Sequence, residues 1–317
     1  MANVYFTREI TADACKRLYD ILIEERGGIL PAPVAVKVHS GEVGNQNFIK
    51  PEFFAPTVAA SGGVVTECNT AYDGGRDTTA KHIKTLKKHG WSEYFEVDLL
   101  DAEGPDTCFE IPEGKVIKKN YVGKNIEKYS SALILSHFKG HPMGGYGGAL
   151  KQLSIGFASS FGKKYIHGSG DPVTSFAGDH DSFLASMADA AKSVVDYFEG
   201  NVVYINVMKN MSVDCDCCSK AEDPCIADIG ILASLDPVAL DKACVDLVYA
   251  SNDKGRDHLV ERIESRNGVY TIECAEKLGI GTTNYKLIEM KIVIYKNAVF
   301  SLKLSKSGFC KLIFAIG

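Results

Sequence analysis

SALILSHFKGHPMGGYGGALKQLSIGFASS, residues 131–160, is the stretch from which the fold is read. Ser131 to Leu135 is short and apolar, the pattern of a buried strand, so His137 falls at or just past its carboxyl end. Gly144, Gly145, Gly147 and Gly148 then permit a tight turn and a close backbone approach. From Ala149 the chain reads as a helix, with Leu150, Leu153, Ile155 and Phe157 supplying its apolar positions. A glycine-rich loop that opens a helix leaves free N–H donors at the positive end of the macrodipole, an arrangement suited to a phosphate or carboxylate. Lys151, in the first helical turn, sits at the unfavourable end of that dipole at a cost of ~0.3–1 kcal/mol, which a bound anion would remove.

The same alternation continues on both sides. Val34 to Val38, Gly63 to Cys68, Val202 to Val207 and Ile229 to Ser234 read as strands. Pro51 to Ala60, Thr78 to His89, Asp181 to Tyr197 and a segment opened by Asp236-Pro237 read as helices. Asn267-Gly268 and Gly279 close two further short helices, and Cys244 falls on an apolar helical face. Residues 98–128 are rich in Gly, Pro and charge and read as an excursion or hairpin. The expected fold is α/β: a mainly parallel sheet flanked by helices, in one layer or as two α/β lobes around a crevice. Residues 1–290 carry this pattern, while 291–317 form an atypical tail with five lysines and no acid.

In open parallel sheets ligands bind beyond the carboxyl ends of the strands. The loops expected there are polar: His39, Glu42, Asn45 and Asn47 after the first strand, and Asn69, Tyr72, Asp73 and Arg76 after the second. His137, His141 and Lys151 follow the third, and KNMSVDCDCCSKAEDPC follows the fourth. Four such loops argue for a shared pocket with His39, Glu42, His137, His141 and Lys151 as catalytic candidates. Asn69, Asp73, Arg76 and the four glycines are ligand-binding candidates. Cys215, Cys217, Cys218 and Cys225 place four thiols in eleven residues, a soft donor set for zinc, another thiolate-bound metal or an iron–sulfur cluster, although the spacing matches neither a zinc ribbon nor a ferredoxin run. The remaining cysteines read as structural, and His82, His89, His180 and His258 as surface residues.

Composition narrows the function classes. With 317 residues, 45% of them hydrophobic, the chain has ample material for a core. Its net charge of −5 and scattered lysines and arginines give no basic stripe, which argues against nucleic acid or an anionic membrane. No apolar run approaches the ~20 residues of a membrane span, no secretory h-region precedes Arg8, and ten cysteines without such a signal suggest reduced thiols in the cytoplasm. The expected partner is a small anionic molecule; the sequence does not indicate an oligomeric state.

Residues 37–48, 66–79, 135–160, 206–218 and 228–249 together resemble the domain of unknown function 362 family, described as uncharacterised iron–sulfur-centre proteins, over about Val4 to Ile288. That resemblance implies a metal- or cluster-associated enzyme or redox protein, yet the ferredoxin-type cassette of many relatives is missing and only the DCDCC segment offers ligands. One loop is also similar to the lactate racemase family: His141, Gly145, Tyr146, Gly147, Gly148 and Lys151 follow its order and spacing. This second resemblance implies a racemase- or isomerase-like enzyme in which Lys151 anchors a nickel-pincer nucleotide and histidines handle protons and metal. An oxidoreductase, an isomerase and a non-catalytic ligand-binding or electron-transfer module are thus the three classes in view.

Overall fold

In the computed structural model eight strands share one sheet: β1 (Ala2–Thr7), β2 (Val34–Lys37), β3 (Val64–Glu67), β4 (Val97–Leu99), β5 (Ser131–His137), β6 (Val202–Met208), β7 (Gly230–Ser234) and β8 (Tyr285–Glu289). Residues 1–295 and 298–302 are described, those from 291 onward by their backbone alone. The spatial order is β8-β1-β7-β6-β5-β2-β3-β4. Only β7 runs against its neighbours, so the sheet is mainly parallel and is one layer rather than two lobes.

The strand interiors are continuously apolar because both faces of the sheet are covered. In β5, Ala132 and Ile134 enter one core, and Leu133 and Leu135 enter the other. Tyr204 and Val203 divide β6 in the same way. Helices Ala149–Phe157, His180–Tyr197 and Pro237–Tyr249 cover the first face, and Ala12–Arg26 and Pro51–Ser61 cover the second. None of the described helices is long and apolar enough to cross a membrane.

The excursion at 98–128 contains the expected hairpin, Thr107–Glu110 paired with Lys119–Val122. In the tail, Lys291–Tyr295 and Ala298–Leu302 pair antiparallel, while residues 296–297 and 303–317, including Cys310, lie outside the described residues.

The topology matters most at one edge. Strands β6, β5, β2 and β3 are adjacent and parallel, so their four following loops emerge side by side.

Candidate active site

His137 closes β5, and both its nitrogens face acceptors: Nδ1 lies 3.0 Å from each Asp216 oxygen and Nε2 lies 2.6 Å from the Lys209 carbonyl. Only a ring with two N–H groups satisfies both sides. Lys139 Nζ also reaches Asp216 at 3.0 Å. Burial pushes the Asp216 carboxyl up, but His137 and Lys139 outweigh it and hold the group below the usual carboxylate range. The result is a buried clamp that fixes the Cys215–Cys218 turn, closed by the Cys218 N–H to Cys215 carbonyl bond of 2.9 Å, against the tip of β5.

The glycine loop is built as the sequence implies, but its anion comes from within the chain. The N–H groups of Ala149 and Leu150 donate to the Asp241 carboxylate at 2.8 and 3.0 Å. Asn206 Nδ2 and the Tyr146 hydroxyl donate to it as well, at 2.7 and 3.2 Å. Burial raises the Asp241 carboxyl to about 6 in spite of these four donors. The expectation of free helix N–H groups is therefore corrected: Asp241 already holds two of them. Gly148 lets it come so close, since a Cβ there would lie against Oδ1 and 2.9 Å from Cγ. Gly145, at φ +76°, packs on Gly268, and Gly147 borders the stems of Lys139 and Lys151.

Gly144 contributes through its backbone. Its N–H and that of Met143 donate to His141 Nδ1 at 2.8 and 3.2 Å. A nitrogen that accepts carries no proton, so the neutral ring bears its hydrogen on Nε2, 3.9 Å from Cys217 Sγ. His141 Nε2, Cys215 and Cys217 lie within 4.8 Å of one another, close enough to hold a metal ion. Lys151 Nζ stands 3.8 Å from Cys215 Sγ. Burial alone would raise the Cys215 thiol, but a hydrogen bond from Cys217, with Lys151, Lys139 and His141 around it, lowers it well below the usual thiol range. Cys217, hydrogen-bonded to Cys215 and Cys218, is raised and remains the thiol of the pair. Cys225 is elsewhere, its Sγ on the Met211 carbonyl at 3.5 Å.

All four loops meet at a cavity of about 140 Å³, to which they contribute His39, Arg76, His141 and Cys217. Glu42 does not stand free: it accepts from Gly75 N at 2.7 Å, from Val43 N at 2.9 Å and from Arg76 Nε at 3.2 Å. His39 Nδ1 accepts from Gly41 N at 3.1 Å, and burial keeps this ring neutral by lowering it well below the usual histidine value. Asn69 faces away from the ligand space, bonded to Thr79 and His82, and Asp73 is exposed at a neighbouring depression.

The expectation that His82 and His89 lie on the surface is corrected. His82 is fully buried between Ser40 and Asn69, and His89 is half-buried, bonded to the Ser40 carbonyl and stacked on Phe48. Three cavity residues escaped the sequence reading: Glu67, which bonds Lys37, Ser40 and Arg76, and Lys163 and His167 of helix Ser160–His167. His167 Nδ1 donates to the Lys163 carbonyl at 2.7 Å, which leaves Nε2 as an acceptor without a partner among the described residues. Burial lowers this imidazole to about 3, so it is neutral at pH 7.

A sequence profile for the family described as "Domain of unknown function (DUF362)" matches residues 34–246. The chain belongs to this family. Two solved structures are similar to the DUF362 chain. The lactate racemase apoprotein from Thermoanaerobacterium thermosaccharolyticum is 15% identical over 64% of this chain and 50% of its own, with a TM-score of 0.43. A Thermotoga maritima protein is 10% identical over 84% of this chain and 59% of its own, with a TM-score of 0.38. The DUF362 chain thus spans half to three-fifths of the length of these structures, and no curated protein matches it.

The donor set of the DUF362 chain bears on the iron–sulfur centre its resemblance implies. A cluster is held by four thiolates, whereas Cys225 is bound away from the other sulfurs and the close group is Cys215, Cys217 and His141. Of the four expected cysteine ligands, Cys215 and Cys217 lie with His141 close enough to hold a metal ion, Cys218 is hydrogen-bonded to Cys217, and Cys225 lies apart. For a single ion the distances suffice, but the ring does not fit: ligation through Nε2 would move its proton to Nδ1, against two N–H groups that already point there.

Proposed function

We propose that this DUF362 chain is an enzyme of the isomerase or racemase type that moves a proton on a small carboxylate held in the cavity. The observation that carries this reading is the pair of imidazoles on the cavity wall with opposite, backbone-fixed tautomers: His167 presents a bare Nε2 and His141 presents an Nε2–H. Burial keeps both neutral, His141 at about 4 and His167 at about 3, so one is a proton acceptor and the other a donor near pH 7.

One feature favours an anion as the occupant. Gln152 lines the cavity, is nine-tenths buried, and its Nε2 has no hydrogen-bond partner among the described residues. A carboxylate oxygen would satisfy that donor.

Proton exchange in deuterated buffer with a panel of 2-hydroxy, 2-amino and 2-oxo acids, followed by NMR, tests the reading. At least one acid is expected to exchange, and His167→Asn is expected to slow the exchange by about 100-fold or more. Exchange unchanged in that variant would refute the assignment.

A second reading rests on Lys151, whose amine borders the same cavity with the Cys215 sulfur as its polar neighbour. There Lys151 would anchor the nickel-bearing nucleotide that the racemase resemblance implies, a group that supplies redox chemistry imidazoles lack. Intact mass measured on protein from a cofactor-competent host decides it, because an unmodified Lys151 removes its support.

A further inference from the structure

Among the described residues three lysines are buried, and they differ in what neutralises them. Lys37 has Glu67 at 2.6 Å and Lys139 has Asp216 at 3.0 Å. Among the described residues Lys163 has no carboxylate within ion-pair distance and bonds only the Ala158 carbonyl, at 2.5 Å. The acids that act on it from further away have nearer partners: Asp101 accepts from the N–H groups of Asn69 and Ser160 at 2.8 and 3.0 Å, and Glu67 from Lys37 at 2.6 Å. The neighbouring Cys68 supplies no charge, since burial raises its thiol far above the usual range. An ammonium without a counterion is costly in such a place, and loss of its proton relieves the cost. Burial accordingly lowers the Lys163 amine from the usual lysine value.

Position adds what charge alone does not. Lys163 lines the cavity, and His167 lies four residues later on the same face of the same helix. A buried amine with no ion-pair partner among the described residues and a bare imidazole nitrogen therefore border one cavity that is suited to a carboxylate.

We propose that Lys163 is an imine-forming lysine and that the carboxylate entering this cavity is an oxo acid; this rests on the reading of the cavity as a small-carboxylate site. The Lys163 Nζ lone pair forms a bond to the carbonyl carbon, and the π pair moves onto oxygen. The two protons of the amine pass to that oxygen, which leaves as water, and the C=N bond replaces the C=O bond. Protonation of the imine nitrogen then makes the adjacent C–H acidic. His167 Nε2 takes this proton while the C–H pair becomes the enamine double bond, and its return to either face completes a proton transfer without any oxidant. The iminium is the electron sink, and Lys163 and His167 act on neighbouring atoms of the substrate.

Reductive trapping tests the assignment on the intact wild-type protein. Pyruvate and sodium cyanoborohydride are added, and the product is read by intact mass and peptide mapping. A single reduced adduct located on Lys163 is expected, with the adduct lost in Lys163→Arg, whose guanidinium cannot form an imine. Absence of the adduct, or its spread over exposed lysines such as Lys164, overturns the proposal. Deuterium exchange separates this inference from the reading it rests on. If Lys163→Arg exchanges as fast as wild type, the imine fails and the proton-transfer reading survives. If the adduct forms on Lys163 while His167→Asn exchanges normally, the imine stands and the assignment of the base falls.

Discussion

Gly148→Ala should destabilise this protein through one carboxylate. Gly148 has an extended backbone, φ −148° and ψ −151°, so alanine carries no left-handed penalty there. The cost comes from the added methyl group, which would lie against Oδ1 of Asp241 and 2.9 Å from its Cγ. Asp241 has nowhere to retreat: it is fully buried and held by the N–H groups of Ala149 and Leu150, by Asn206 and by Tyr146. Overpacking costs about 1–3 kcal/mol and a weakened helix cap about 1 more, giving ~2–4 kcal/mol together. At roughly 2 °C per kcal/mol for a chain of this size, the melting temperature should fall by about 4–8 °C. The mechanism predicts more than the magnitude. In an Asp241→Ala background the methyl group meets no carboxylate, so the same substitution should cost far less there than in the wild type. Thermal or urea unfolding of the wild type, the two single variants and the double variant gives the coupling. Additivity within about 0.5 kcal/mol would refute the argument, because two residues in direct conflict cannot behave as independent sites.

Two further predictions concern pH and have opposite signs. Asp216 is held below its unfolded value by His137 and Lys139, so its contribution is complete above about pH 4 and is lost as pH falls through the lowered folded value. Asp216→Ala should remove that dependence and, by leaving the buried Lys139 ammonium and the His137 Nδ1 without their acceptor, cost about 3–5 kcal/mol at pH 7 in urea unfolding; a loss under about 1 kcal/mol would mean that the clamp is not structural. Asp241 behaves in reverse: its folded value is about 6, above the unfolded carboxylate, so its contribution is present at pH 4 and is lost as pH rises through 6. Melting temperatures measured between pH 4 and 6 should show this slope in the wild type and lack it in Asp241→Asn; identical slopes would count against the raised carboxyl.

The sheet was legible because its central strands are buried on both faces, a condition that forces continuous apolar runs such as Ser131 to Leu135 and Val202 to Val207. β1 was harder to see, since Asn3 and Tyr5 interrupt the run with groups whose partners lie on distant elements. Adjacency of the four site loops followed from topology, as parallel strands put their carboxyl ends on one edge. His167 was missed for a physical reason. The segment SFGKKYIH reads as an ordinary cationic helix, and the i, i+4 pair Lys163 and His167 faces inward only because Gly162 packs tightly against the Tyr121 backbone, where a Cβ would collide. Nor does residue type reveal which nitrogen of a histidine is bare: His141 and His167 differ because one ring meets backbone N–H groups and the other a backbone carbonyl.

The glycine loop shows most clearly where reading a sequence stops. The physics was sound: a helix N-terminus preceded by glycines favours a carboxylate, and a carboxylate is bound there. What the local pattern lacks is ownership of that carboxylate. Asp241 sits in the second turn of helix Pro237–Tyr249, where nothing in the local sequence points to a partner on another helix. Once the fold delivers it to the start of Ala149–Phe157, the chain has consumed its most evident anion site in its own packing. A ligand must then be held by groups that the chain has not fully claimed, and around this cavity those are the Gln152 amide, the bare nitrogen of His167 and the Lys163 amine, which bonds the Ala158 carbonyl alone among the described residues.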